Sequence, residues 1–119
     1  MRKFNLLVAS SILIFASCTN HSEDDLVNQE PIPETVTYLD NVKPIIDANC
    51  VSCHGNSNPQ AGLSLTNYTQ VKNAVQNNGL INRISLADGN PSLMPTSGRM
   101  PQATIDLISQ WNADGLLEQ

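Results

Sequence analysis

The sequence predicts an all-α domain of roughly three to five short helices packed around a bound group. Three observations lead there. Apolar residues recur at helical spacing, most clearly at Ile105, Ile108 and Trp111. No stretch alternates for long enough to make a convincing strand, and no internal repeat is visible. The segment from Val36 to Gln119 contains no Phe, and Tyr38, Tyr68 and Trp111 are its only aromatics. A module that small struggles to build a sufficient core from its own side chains.

The chain divides into residues 1–17, 18–35 and 36–119. Arg2 and Lys3 form a short basic start, Phe4 to Phe15 is apolar, and Ala16-Ser17 supplies small residues for cleavage. This three-part layout is that of a secretory signal peptide, too short to span a bilayer comfortably. The competing reading, an N-terminal helix of the folded domain, sits badly with the acidic, Pro-containing stretch that follows. Phe15-Ala16-Ser17-Cys18 resembles a bacterial lipobox, with Phe15 where Leu is usual. It makes Cys18 the expected lipidation site and the membrane an expected partner. Several acyl chains on one residue anchor stably where one does not. The alternative is an ordinary secreted protein with a stray Cys.

Thr19 to Thr35 carries five carboxylates, Pro31 and Pro33, and few apolar residues. Such a segment reads as a solvated tether, roughly 20 Å long as coil and about 55 Å at full stretch. The acidic residues after the Cys also bear a weak resemblance to a surface-export signal of some lipoproteins. His21 lies here and is expected to be exposed and unligated. Cleavage after Ser17 leaves four basic residues against eleven acidic ones, a net charge of −7. Nucleic acid binding needs a basic face and is not expected.

The first helix of the domain begins with Asp40 as a candidate N-cap and Pro44 in its first turn. Val42, Ile45 and Ile46 share a face, and the helix should end near Asn49. It delivers the chain into Cys50-Val51-Ser52-Cys53-His54. This C-x-x-C-H pattern reads as covalent attachment of haem c. Two thiols on one tight turn can reach vinyl groups on neighbouring pyrroles, and the next imidazole then lies under the iron. With 3 Cys and 2 His in 119 residues, the pattern arises by chance on the order of once in a thousand shuffles. The alternatives are a redox dithiol, which wants a βαβ context, and a zinc site, which wants four ligands. Only Cys18 and His21 remain to supply these, both far from the pair. The second nitrogen of His54 needs an acceptor, for which a carbonyl near Pro59 is the expectation.

Gly55 to Gly62 is turn chemistry throughout. Thr66 is a candidate cap for a helix to about Val75, with Tyr68, Val71 and Val75 on one face. Asn77-Asn78-Gly79 closes it, Leu80, Ile81 and Ile84 suggest another short turn, and Asp88 to Pro91 breaks the chain. Pro101 to Asp114 is the clearest helix, with Gly115 at its stop. Trp111 is expected in the core against the first helix, with electron tunnelling as the rival role.

Met94 and Met100 lie in the segment Pro91–Pro101. A thioether opposite a proximal His raises the reduction potential of haem iron. Met94 is the expected distal ligand, because Pro95 stiffens the loop after it; Met100 is the alternative, but it lies near the last helix and is expected to pack there. Arg83 or Arg99 is a candidate partner for a haem propionate, against the default of a solvated surface residue.

From about Val36 to Gly115 the chain resembles the class I small monohaem cytochrome c domains carried on bacterial lipoproteins. The matching residues are Val42, Pro44, Ile45, Cys50, Cys53, His54 and Gly55, then Gly62, Leu63 and Leu65, then Met94 and Pro95, then Trp111 and Gly115. The likeness is loose between Asn56 and Asn90, and Met100 stands where the family usually has an aliphatic residue. The resemblance implies an all-α fold wrapped around one haem c, His54/Met94 ligation, and electron transfer between redox protein partners. The expected function is therefore an exported, lipid-anchored electron carrier in the periplasm or on the cell surface, not an enzyme. The rivals are a haem-based small-ligand sensor with a labile sixth ligand, a peroxidase-like enzyme, and a structural lipoprotein with zinc at the Cys pair.

Overall fold

The computed structural model describes residues 31–119. Residues 1–17, Cys18 and His21 lie outside that range, as does the tether up to Glu30. The described residues form four α-helices and no strand, in keeping with the all-α expectation. Pro31 to Thr35 is exposed, and Val36 is the first buried residue. Among the described residues no helix is long and apolar enough to cross a membrane.

A π-helical turn, Tyr38–Val42, runs directly into α1, Lys43–Asn49. Pro44 accounts for the wide turn. It has no N–H for the Asp40 carbonyl, and its ring would press on that oxygen in a tighter helix. The N-cap position falls to Thr37, not Asp40. The Thr37 hydroxyl donates to the Asp40 carboxylate and its N–H to Asn41 Oδ1, so Asp40 serves inside the turn. Val42 and Ile46 are buried along one face.

Helix α2 spans Tyr68–Asn77 and is capped by Asn67, whose Oδ1 accepts from Gln70 N at 3.0 Å. The expected cap, Thr66, lies one residue too early, and its hydroxyl is used elsewhere. Val71 and Ala74 are the buried stripe. Gly79 (φ +67°) turns the chain through a left-handed conformation that glycine adopts without penalty. It leads straight into α3, Leu80–Ile84. Helix α4, Gln102–Ala113, buries Ile105, Ile108 and Trp111.

The two ends of the domain are tied together. Tyr38 N–H donates to Leu117 O and Leu39 N–H to Glu118 O. Val36 N–H donates to Asp114 Oδ2. Over this seam the three aromatics gather, with ring centroids 5.5 Å apart for Tyr38–Tyr68 and 5.9 Å for Tyr38–Trp111. The Trp111 indole N–H also reaches Leu117 O, at 2.8 Å, and Tyr68 OH donates to Leu116 O. Trp111 is thus a core residue, packed on the π-helical turn that opens α1. Met100 is buried in the same core. Among the described residues no buried side-chain polar atom lacks a partner.

Candidate functional site

Cys50 ends α1 and begins a tight turn. His54 N–H returns to Cys50 O at 2.8 Å and Cys53 N–H to the same oxygen at 3.1 Å. Both thiols and the imidazole are thereby fixed on one short bend. Gly55 suits its exit, because a Cβ there would crowd Val51 O at 3.0 Å. Cys50 is half-buried and Cys53 exposed, and the two are not joined by a disulfide. Burial, with Cys53 beside it as the lesser cause, pushes the Cys50 thiol up to about 11. The thiolate is the reactive form of a cysteine, so burial makes Cys50 the less reactive thiol at neutral pH.

His54 is held twice by the segment after the loop. Its Nδ1 donates to Leu63 O at 2.9 Å. Its own carbonyl accepts from Leu65 N–H at 2.8 Å. The acceptor is therefore Leu63 and not a residue near Pro59, whose carbonyl takes the Gly62 N–H instead. The exchange has a simple cause. Gln60–Gly62 forms a 3₁₀ turn that uses Pro59 O internally and swings Leu63 under the ring. With Nδ1–H committed, the lone pair free for a metal is on Nε2.

A cleft of about 390 Å³ opens over this bend, within the range of small-molecule and cofactor sites. Cys50, Cys53 and His54 form one wall, and Leu80, Arg83 and Ile84 of α3 form another. Met94 and Pro95 close it from the segment before α4. Met94 N–H donates to Arg83 O at 3.1 Å, and Arg83 Nη1 donates to Ser92 O at 3.2 Å. Helix α3 thus fixes the Met94 segment against the cleft. Met100 does not line the cleft; it is 5% exposed, in the core.

The two arginines part company. Arg83 is exposed and lines the cleft. Arg99 points its Nε at Leu86 O and its Nη2 at Gln102 Oε1, while its N–H goes to Asp88 Oδ1. It stitches the loop before α4 and does not line the cleft. Among the described residues no carboxylate lines the cleft, and no three His, Cys, Asp or Glu side chains gather as a metal site. A zinc site needs about four such ligands closing a tetrahedron.

Several residues at the site escape a reading from motif and periodicity. Leu63 matters through its carbonyl, and Gln70 and Asn56 through bonds to the strip that carries it. The one sequence signal was the spacing Asn67-x-x-Gln70, an N-cap followed by Gln at the third helical position. Chemically the cleft offers two thiols on one turn, an imidazole with a free Nε2, a thioether, apolar walls and one cation. Comparison with protein-family models, with curated proteins and with solved structures finds no match for this chain.

Proposed function

We propose that this protein is a membrane-tethered c-type cytochrome that passes single electrons between redox protein partners. The supporting observation is that Cys50, Cys53, His54 and Met94, far apart in sequence, line a single cleft. Cys50 and Cys53 would hold one haem through thioethers, and His54 and Met94 would ligate its iron. When bound, haem supplies the one-electron couple of its iron.

The chain's own residues do the rest. Leu63 O accepts the Nδ1 proton and so orients the imidazole with Nε2 free for iron. Helix α3 holds the Met94 segment in place. Leu63, Leu65 and Ile84 line the cleft with apolar surface, which favours a macrocycle over water. Arg83 is the cation on hand for a propionate, while Arg99 is occupied elsewhere. A peroxidase needs a positioned acid–base group on the open side of the iron. Among the described residues, His54 is the one imidazole in the cleft and no carboxylate joins it.

The test is production of the full chain in a host that matures haem c. A Soret band, a pyridine haemochrome of the thioether type and a mass increased by one haem are expected. The increase should be lost in Cys50→Ala/Cys53→Ala. Colourless protein of unmodified mass would overturn the proposal. In the same cells, incorporation of labelled fatty acid that Cys18→Ala abolishes would identify the anchor.

A further inference from the structure

Gln70 lies in the first turn of α2, outside the cleft, yet it is the hub of a hydrogen-bond network behind His54. Thr66 N–H lies 2.9 Å from Gln70 Oε1, Ser64 Oγ 3.1 Å and Thr66 Oγ1 3.0 Å. Thr66 Oγ1 is also 2.8 Å from Asn56 Oδ1, and Ser64 Oγ is 3.4 Å from it. A hydroxyl has one proton and an amide oxygen two lone pairs. Taking the shorter contact of each hydroxyl, Thr66 N–H and Ser64 O–H fill Gln70 Oε1, and Thr66 O–H goes to Asn56. Every donor is then used once and no acceptor is oversubscribed.

The strip so gripped is Ser64–Thr66, and it is the strip that holds His54. Leu63 O accepts the ring N–H on one side of Ser64, and Leu65 N–H donates to the His54 carbonyl on the other. Asn56 closes the circuit two residues after His54. We infer that Gln70 is a positioning residue for the iron ligand: it fixes the strip whose Leu63 carbonyl holds the His54 ring N–H. The inference rests on the haem reading above. It extends it to a residue that touches neither the cleft nor the imidazole.

An imidazole that donates a firm hydrogen bond is a stronger ligand to ferric iron, so loosening that bond raises the reduction potential. Gln70→Leu keeps the bulk of the side chain and removes the acceptor. Its holoprotein should titrate at a higher midpoint potential than the wild type, outside the error of the measurement. Gln70→Glu retains acceptor oxygens at the same reach and adds negative charge, so its potential should stay level or fall. Ser64→Ala, a milder change that serves if Gln70→Leu does not fold, should shift upward by less than a full loss of the hub.

Asn67→Ala is the control for stability. It removes the cap of α2 but leaves the Gln70 side-chain contacts, so it should lower the melting temperature without moving the potential. An unchanged potential in Gln70→Leu and Ser64→Ala, or an equal rise in Asn67→Ala, would reduce Gln70 to a helix-capping role. Absence of haem from the wild type would instead sink the underlying reading, so the two failures cannot be confused.

Discussion

Met94 is bonded to Arg83 through the main chain, its N–H 3.1 Å from the Arg83 carbonyl. The contact hangs a thioether from the same helix, α3, that walls the cleft facing His54. Met100, six residues on, is carried instead into the core, where it is 5% exposed. The two methionines thus have different work, and substitution should separate them.

Met94→Ala should lower the midpoint potential, since the thioether favours ferrous over ferric iron. It should also open the reduced protein to CO and the oxidised protein to cyanide, each read by the Soret shift. Met100→Ala should leave potential and ligand binding near wild type and cost stability, about 2–5 kcal/mol for a buried Met. The reverse pattern would exchange the roles. Rapid CO binding by the unmutated protein would favour a ligand sensor.

Cys50 makes a pH prediction for the protein before haem is attached. Its thiol is pushed up from 9.0 to about 11 by burial, so the folded chain releases that proton later than the unfolded chain does. The stability linked to it is fully present below about pH 9 and is lost as pH rises towards 11. Alkylation follows the thiolate. Exposed Cys53 should be modified first by iodoacetamide at pH 8, and Cys50 should lag until the medium nears pH 11. Site-resolved mass spectrometry checks the order; equal labelling at pH 8 would contradict the buried placement of Cys50.

Gly55→Ala tests the exit of the bend. The added methyl would meet Val51 O at 3.0 Å, so that carbonyl would have to shift by a few tenths of an ångström. Overpacking of this kind costs about 1–3 kcal/mol. A lower melting temperature and a smaller yield of haem-bearing protein are expected. By contrast, Cβ built at Gly89 meets nothing within 4 Å, so the loss at Gly89→Ala should reflect only its φ of +82°.

What could be read in advance was local. Ile105, Ile108 and Trp111 repeat at helical spacing and are buried on one face of α4, because one face of one helix decides it. The spacing of Cys50, Cys53 and His54 likewise lies within one turn. The misses depend on chain path. Position alone favours Pro59 O as the His54 acceptor, but a 3₁₀ turn consumes it and brings Leu63 O to the ring. Thr66 was displaced as cap by Asn67 because its hydroxyl and N–H face Asn56 and Gln70. The cap is Thr37 and not Asp40 because a π-helical turn, Tyr38–Val42, precedes α1 and takes Asp40 into its interior. Arg83 and Arg99 look alike in sequence. Only the fold sends Arg99 to the Leu86 carbonyl and leaves Arg83 at the cleft.

Trp111 offers the last separation, between packing and conduction. Its ring is fully buried, its N–H lies 2.8 Å from Leu117 O, and Tyr38 N–H shares that oxygen at 2.9 Å. Trp111→Phe therefore strands no carbonyl. It removes one hydrogen bond, about 0.5–1.5 kcal/mol, and part of a ring. Trp111→Ala removes the centre of the aromatic cluster and should cost about 3–5 kcal/mol. A domain this small has a total stability near the low end of about 5–15 kcal/mol, so the Ala variant should be largely unfolded or barely folded in mild denaturant. If Trp111 is a packing residue only, Trp111→Phe should keep the wild-type electron-transfer rate with a small redox dye while its denaturation midpoint falls. A rate that drops in a Phe variant of near-normal stability would instead give the indole a part in moving the electron.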